Sequence, residues 1–397
     1  KYHLPKALLN LSTCISGPGM SNLTRKSKTV MNPGQTSIKK GLSKAFNLTQ
    51  VNHSRLKWVD YVKGIAILLV VYRHVLIGLE RSGLVIPSYM VNANMIFYSF
   101  RMPLFFILSG MFISSSLSKR PLNRLLYIKF ESLLYPYFIW AFLQISVQIL
   151  FSSFTNADRG LADYGYIFYQ PRNLDQFWYL PALFNVTFFY LLIKTKLRPP
   201  ASVQLLIGIT LYFLSSYIHD FSMLSDWMEF YFFFALGDAV SQFFFKEKTQ
   251  NFFKNPIVLL IAIPVFLLTQ RYYLSNEEIY YLKEFSGKAE FIIISLIGCA
   301  SMFFLAFRLE RWNIFSFIRV IGFHSLFIYV MHVFAAAAIR IILMKVFHIF
   351  DPLLLTIAGI AFSITISIAF YNLLIKDNIF WFLFSIRKNK ITPIANK

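Results

Sequence analysis

Long apolar runs alternate with short polar connections along most of this 397-residue chain. A helix needs about 20 apolar residues to cross the hydrocarbon of a bilayer, and windows of that kind recur about ten times. The predicted spans cover roughly residues 58–79, 94–115, 129–151, 177–194, 202–219, 227–245, 255–273, 289–308, 316–340 and 352–375. The pattern therefore predicts an all-α fold, a polytopic transmembrane helical bundle.

Composition and charge agree with a membrane protein. Hydrophobic residues make up 57% of the chain and charged residues only 14%, whereas soluble domains average about 25% charged residues. The net charge of +21 could suggest a nucleic-acid partner, but the bases occupy alternate connections between spans, as the positive-inside rule requires. We therefore expect no nucleic-acid partner and predict that both termini face the cytoplasm.

Three segments follow from this organisation. Residues 1–57 hold many Lys and Arg but no Asp or Glu, which predicts a basic, disordered cytoplasmic extension. Residues 58–375 form the predicted transmembrane domain, and residues 376–397 a basic cytoplasmic tail. The longest outer connections, near 152–176 and 274–288, could form lids or short helices. The two cysteines are far apart and have no neighbouring metal ligands, so neither a disulfide framework nor a metal site is indicated.

The first span carries an unusual polar stripe. Asp60, Lys63 and His74 fall within one sector of about 80° on a helix, with Lys63 and His74 about 16 Å apart along the axis. Arg73 is predicted to face elsewhere, because it lies about 100° from His74. Ionisable groups at this depth are costly and usually line a protein interior or a water-filled path. The stripe therefore indicates a site rather than an anchor.

Polar residues on other spans could join this stripe. In the second span Arg101 reaches nearly the depth of His74, either snorkelling to the interface or facing the bundle. In the ninth span His324 and His332 are either packing residues or part of a site. Trp178 opens the fourth span, in an aromatic belt or as a wall that stacks on a sugar. Three acids near span ends are expected to make helix-end or pairing contacts: Glu131, Glu229 and Asp238.

Several short motifs occur together in this chain, each in a different span. Lys63 and His74 are a basic residue and a histidine eleven positions apart, flanked by Asp60 and the run Gly64–Val71. The other motifs are Arg101-Met102-Pro103 with Phe105, Ser109 and Gly110; Leu134-Tyr135-Pro136-Tyr137 with Trp140; Phe177-Trp178-Tyr179-Leu180 with Ala182-Leu183-Phe184; and Ser325-Leu326 with Tyr329 and His332. As a set they resemble the acyltransferase 3 family of integral membrane O-acyltransferases over roughly residues 58–375. Lys at position 63 is similar to the branch related to fucose and polysaccharide O-acetylases.

The resemblance implies transfer of an acyl group, most often acetyl, from cytoplasmic coenzyme A to a sugar hydroxyl. The expected donor is acetyl-CoA or another acyl-CoA, with no metal cofactor. The expected acceptor is a glycan or lipid-linked saccharide, and the expected surroundings are membrane lipid in a bacterial inner membrane. This would make the chain an O-acetyltransferase.

Roles for the polar residues follow from chemistry and from the resemblance together. Histidine is the side chain best suited to remove a hydroxyl proton near neutral pH, so His74 is the expected base or transient acyl carrier. Lys63 is expected to orient the donor or bind its phosphates. Arg101 could bind a phosphate, a carboxylate or the developing oxyanion. Further expected substrate-binding residues are Asp60, Trp178, Ser109, His332 and His324. Arg124 and Lys129 are weaker possibilities for the nucleotide of coenzyme A.

A different class of protein also fits the intramembrane charges. Proton-coupled transporters, or a flippase of a glycan or small anion, place His, Arg and Asp within broken helices. The sequence shows no two-fold repeat and no pair of interrupted spans, which favours the acyltransferase.

Overall fold

The computed structural model describes residues 40–52, 56–152, 159–218, 220–276, 285–376 and 378–387. All regular secondary structure in this part of the chain is helical. Most of the predicted N-terminal extension and the end of the predicted tail lie outside the described residues, so their assignment stays a prediction. Cys14 falls there too.

The described helices follow the predicted spans closely. The long ones are α1 (Lys57–Glu80), α2 (Ser88–Met111), α3 (Leu122–Leu150), α4 (Tyr179–Lys196), α5 (Ala201–Leu214), α6 (Ser222–Phe244), α7 (Pro256–Leu274), α8 (Phe285–Trp312), α9 (Ser316–Phe323), α10 (Ser325–Ile341) and α11 (Pro352–Phe370). Shorter helical segments cover Leu48–Asn52, Ile113–Lys119, Leu161–Gly165, Tyr166–Tyr169, Pro171–Trp178, Ser215–Ile218, Glu247–Phe253, Ile342–Val346, Tyr371–Ile375 and Trp381–Leu383.

Within the described residues, nine helices are long and apolar enough to cross a membrane. The chain is therefore an integral membrane protein with an all-α, polytopic bundle, as predicted. The remaining predicted span, 227–245, is the helix α6, which is less apolar because it carries Asp226, Glu229 and Asp238. These acids are tolerated because their side chains lie inside the protein rather than in lipid.

Glycines let α6 pack closely against α2. A Cβ added to Gly110 of α2 would lie 2.0 Å from the carbonyl oxygen of Phe234, and one added to Gly237 of α6 would lie 2.0 Å from that of Ile107. Real Cβ atoms cannot approach that closely, so these positions require glycine unless the helices separate. Small residues at such crossings are a common means of packing helices in membranes.

Glycines also let α1, the helix with the polar stripe, pack closely against α9. A Cβ on Gly64 would lie 2.1 Å from the carbonyl oxygen of Ile318, and one on Gly322 would lie 1.8 Å from that of Asp60. Close packing of the two backbones explains the glycine in the first-span motif and fixes the inward-facing stripe of α1 relative to α9 and α10.

The prediction of one continuous helix over residues 316–340 was wrong. The structure divides it at His324, whose φ of −97° and ψ of 11° leave the helical region. The His324 ring nitrogen Nδ1 lies 2.8 Å from the carbonyl oxygen of Val320 one turn earlier. The backbone N–H of His324 also donates to that carbonyl, at 3.2 Å, and a new helix starts at Ser325.

The long connection before α4 is folded into short helices and reaches into the bundle. The Tyr137 hydroxyl of α3 donates to the carbonyl oxygen of Ile167, 2.6 Å away. Arg81, at the end of α1, pairs with Asp175 at 2.8 Å. The connection therefore closes over the end of the bundle where α1 stops and α2 starts.

Candidate functional site

Two histidines from different helices meet inside the bundle. His74 of α1 and His332 of α10 have ring centroids 5.1 Å apart in an edge-on arrangement. His332 is fully buried, while His74 is half-buried. We call His74, His332 and the two tyrosines described below, Tyr329 and Tyr179, the histidine site.

The hydrogen bonds of His332 define which nitrogen is basic. Its Nδ1 lies 3.0 Å from the carbonyl oxygen of Ile328 and 2.8 Å from that of Tyr329. A carbonyl oxygen can only accept, so Nδ1 carries a proton, and in the neutral ring Nε2 then carries the lone pair. Among the described residues Nε2 has no hydrogen-bond partner. In its neutral form His332 therefore presents Nε2 as an available basic nitrogen.

Two tyrosines extend the site from His332 to α2 and α4. The Tyr329 ring lies 6.2 Å from that of His332 and 5.3 Å from that of Tyr179. Tyr179 begins α4 and its hydroxyl interacts with the Ser109 side chain of α2. Ser109 therefore lies at the far end of a polar and aromatic path that starts at the histidine pair.

Positive charge lies next to the histidines. Arg101 is almost completely buried and donates to the Asn94 side-chain oxygen at 3.2 Å. Its guanidinium carbon lies 5.5 Å from the centre of the Tyr98 ring, and that of Arg73 lies 5.8 Å from the same ring. Both guanidinium groups act electrostatically on His74. We call Arg73, Arg101 and Tyr98 the arginine cluster.

The Arg73 guanidinium lies over the Tyr98 ring of α2 and acts electrostatically on His74. That Arg73 faces away from His74 stays a prediction. Arg101 does lie at the level of His74, as its depth in the second span predicted, and its burial excludes the alternative of snorkelling to the interface.

A second ion-paired group adjoins the arginine cluster. Arg172, from the connection before α4, binds the buried Asp226 and, at 2.9 Å, Glu229. Its guanidinium carbon lies 4.6 Å from the centre of the Trp178 ring. One face of the Trp178 ring is therefore covered by a guanidinium group, and whether Trp178 belongs to an aromatic belt or stacks on a sugar stays open.

Of the three acids predicted to make helix-end or pairing contacts, Glu229 and Asp238 form ion pairs. Glu229 pairs with Arg172 as described, and Asp238 binds Lys194 of α4 and accepts from the Tyr190 hydroxyl at 2.6 Å. Glu131 accepts from the Ser385 hydroxyl at 3.3 Å.

The rest of the α1 stripe lies elsewhere in the bundle. Lys63 is half-buried and interacts electrostatically with the buried Asp60 and with Lys129 of α3. Lys63 and His74 are eleven positions apart on one helix, which separates them by about 16 Å along its axis. We call Asp60, Lys63 and Lys129 the lysine site, distinct in position from the histidine site.

His324 belongs to neither site. Its Nδ1 donates to the carbonyl oxygen of Val320, and its Nε2 lies 2.9 Å from the Asn372 side-chain nitrogen. That amide also donates to the carbonyl oxygen of Ala45 at 2.8 Å. Because both ring nitrogens have protein partners, His324 has none to offer a substrate, and the geometry supports a packing role.

Sequence reasoning missed Arg73, Tyr98, Tyr329 and Arg172 as parts of the site. Tyr329 had a signal, since it lies in the motif with His332. Tyr98 and Arg172 had none, because an exposed loop arginine and an interfacial tyrosine are both ordinary at the end of a span. No group of three or more metal-ligating side chains occurs among the described residues.

Comparison with known families identifies the domain. The family model for the acyltransferase domain of the acyltransferase 3 type aligns with residues 56–372. Neither a curated protein nor a solved structure matches the chain. The aligned range includes the histidine site, the arginine cluster and the lysine site.

Proposed function

Because the chain belongs to the acyltransferase 3 family, we propose that it moves an acetyl group from acetyl-CoA to a hydroxyl of a glycan or lipid-linked saccharide. The family match establishes a membrane acyltransferase domain, and the donor, the acceptor and a bacterial cytoplasmic membrane are our proposals. The single observation that carries them is the histidine pair: two imidazoles in contact, one with a defined basic nitrogen.

The chemistry needs a base at this place. A sugar hydroxyl attacks the thioester carbonyl carbon well only if its proton is removed as the new C–O bond forms. In our proposal His74 takes that proton and the neighbouring Nε2 of His332 helps to hold it. The C–S bond then breaks, and the proton passes to the leaving thiolate. The products are the acetyl ester and free coenzyme A.

Positive charge close to the reacting atoms favours this step. The carbonyl oxygen becomes negatively charged in the transition state, and fixed donors or charges stabilise it most effectively where water is excluded. Arg73 and Arg101 act electrostatically on His74 and supply such a field.

The lysine site suits the donor. Coenzyme A carries several phosphates at its nucleotide end and its thioester at the other, joined by an extended arm. Two lysines that act on each other electrostatically, with Asp60 beside Lys63, favour the phosphates. The distance of about 16 Å from Lys63 to His74 separates the binding of the nucleotide from the reacting thioester.

The proposal is tested by replacing His74. With His74→Gln, acetylation of the surface glycan, measured by mass spectrometry of cells complemented with each variant, should fall by about 10²–10⁴-fold, the usual contribution of a general base. His348→Asn is the matched control, since His348 is an exposed loop residue with positive φ, a conformation that asparagine tolerates.

Two outcomes would contradict the proposal. One is full glycan acetylation by His74→Gln at normal protein levels. The other is a purified wild-type protein that neither transfers nor hydrolyses labelled acetyl-CoA but moves a glycan or anion across liposomes, which would identify a transporter.

A further inference from the structure

Two glutamine side chains meet inside the bundle and keep hydrogen-bonding groups in reserve. Gln144 of α3 is 3% exposed, and Gln176 of the segment Pro171–Trp178 is 0% exposed. The Gln176 side-chain nitrogen Nε2 donates to the Gln144 oxygen Oε1 at 2.9 Å. In the part of the chain that the structure describes, the Gln144 Nε2 and the Gln176 Oε1 have no hydrogen-bond partner. We call Gln144 and Gln176 the amide pair.

The unused groups of the amide pair suit hydroxyl groups. A primary amide has a carbonyl oxygen that accepts and an NH2 group that donates. One bond between the two side chains therefore leaves an NH2 group on one glutamine and a carbonyl oxygen on the other. A hydroxyl can both donate and accept, whereas an oxyanion only accepts and would leave the carbonyl oxygen unmatched. A saccharide, which has several hydroxyls, can use both groups.

The backbone before Gln176 directs its side chain inward. The preceding residue, Asp175, has a φ of 56° and a ψ of −107°, a region that residues other than glycine rarely adopt. At this turn the Asp175 carboxylate binds the partly exposed Arg81 at 2.8 Å, while Gln176 is completely buried. Uncommon conformations of this kind persist where the surrounding structure holds them, and they are frequent at ligand sites.

Position connects the amide pair with the acceptor rather than the donor. Gln176 precedes Tyr179 of the histidine site by three residues, so their Cα atoms lie within about 11 Å of each other. The neighbour of Gln176 binds Arg81 at the end of α1, about 27 Å along the helix axis from Lys63. His74 lies between these two positions on α1. A ligand at the amide pair therefore approaches the histidine site from the end opposite to the donor phosphates.

We propose that Gln144 and Gln176 bind hydroxyl groups of a saccharide, and that this contact positions another hydroxyl of the same molecule at the histidine site. The inference rests on the proposed function in naming this saccharide as the acceptor, whereas the binding itself requires no acyl transfer. The contact also gives selectivity. A molecule without a suitably placed hydroxyl leaves a buried donor and a buried acceptor unmatched, which is costly.

Direct binding tests the inference in the absence of acetyl-CoA. The full-length protein in nanodiscs is mixed with the methyl glycosides of glucose, galactose, mannose and fucose, and saturation-transfer NMR measures the binding of each. Pantetheine, the arm of the donor, is measured in parallel, because its amide groups can also donate and accept. We expect at least one methyl glycoside to bind through the amide pair, and any binding of pantetheine to be independent of it.

Variants locate the binding. Gln144→Leu and Gln176→Leu each remove one of the unused groups with a side chain of similar size, and each should weaken the glycoside by about tenfold or more. Gln204→Leu is the matched control, because Gln204 of α5 is also 3% exposed and accepts from the Tyr231 hydroxyl. It should lose a buried hydrogen bond but bind the glycoside as the wild type does. Size-exclusion profiles and unfolding temperatures establish which variants are folded.

Three results overturn the inference. They are no glycoside binding by the wild type, binding that is equally strong in the folded Gln144→Leu and Gln176→Leu variants, and a loss of pantetheine binding alone in these variants. Each is separable from a failure of the proposed function. Glycoside binding through the amide pair in a protein without acetyl transfer would remove the transferase and keep the site, whereas acetyl transfer without such binding would do the reverse.

Discussion

His324 and His332 lie eight residues apart in one predicted span, and the clearest difference between their surroundings is at Nε2. Both rings place Nδ1 against a carbonyl of the preceding turn. The Nε2 of His324 meets the Asn372 amide, whereas that of His332 has no partner in the described structure and lies in a ring that contacts His74. The same residue type is therefore used once for packing and once, in our account, for chemistry.

The comparison shows what distinguishes a functional intramembrane histidine. Burial does not, because both side chains are fully buried. The distinction lies in unused hydrogen-bonding capacity: a buried polar atom without a partner costs free energy, and such a cost is expected where a substrate or a proton will supply the partner. Substituting His332 tests the role in chemistry, and substituting His324 tests the role in packing.

The largest effect is expected at His332. His332→Gln keeps a side chain that can donate to the Ile328 and Tyr329 carbonyls but removes the basic nitrogen. Acetyl transfer per folded molecule should fall by about 10²–10⁴-fold, with little change in the unfolding temperature. Transfer from labelled acetyl-CoA and differential scanning fluorimetry measure the two quantities. Near-normal transfer would make His332 a packing residue like His324.

The opposite pattern is expected at His324. His324→Ala leaves the Asn372 amide without its nitrogen partner and creates a cavity at the junction of α9 and α10. We expect a loss of about 1–3 kcal/mol in the free energy of unfolding and unchanged transfer per folded molecule. Denaturation in detergent and activity normalised to folded protein check this. A specific loss of activity in a stable protein would move His324 into the site.

Packing near His324 should be sensitive to one methyl group. Gly322→Ala puts a Cβ into the backbone of α1 at Asp60, so the helices must separate, with a cost of about 1–3 kcal/mol. Gly160→Ala is the control, because a Cβ there meets no atom within 4 Å. Unfolding temperatures of the two variants should differ clearly, and equal temperatures would contradict the close crossing of α1 and α9.

The smallest effect is expected at Lys63. Lys63→Arg keeps the charge of the lysine site and should raise the KM for acetyl-CoA by less than about tenfold, while Lys63→Ala should raise it more, because phosphate attraction depends mainly on charge at this range. Transfer kinetics at varied acetyl-CoA concentration separate KM from kcat. A pure kcat defect in Lys63→Ala would place the lysine in the reaction instead.

Much of the fold could be predicted from the sequence, because apolar length reports directly on spans in a bilayer. The stripe of Asp60, Lys63 and His74 followed from helical periodicity, and the level of Arg101 from counting residues along α2. Two positions show the limits. Periodicity gives the direction of a Cβ, so it could not place the guanidinium of Arg73 over the Tyr98 ring. An unbroken apolar run cannot reveal a turn such as that at His324, where the backbone leaves the helical region.

The site is predicted less completely than the fold, because its members come from elements far apart in sequence. The contact of His74 with His332 joins α1 to α10, and Arg172 reaches the site from a connection whose path no local pattern specifies. Whether a buried nitrogen has a partner is likewise a property of the packed structure. The membrane orientation, with both termini in the cytoplasm, stays a prediction.

The central claim, that His74 and His332 act as one unit, is tested most directly by a double-mutant cycle. Single-turnover acetyl transfer is measured for the wild type, His74→Gln, His332→Gln and the double variant, with folding verified for each. Residues that act as a unit give grossly non-additive effects, so the double variant should be about as slow as the slower single variant. Additive losses, with the double variant slower by the product of both factors, would contradict the account.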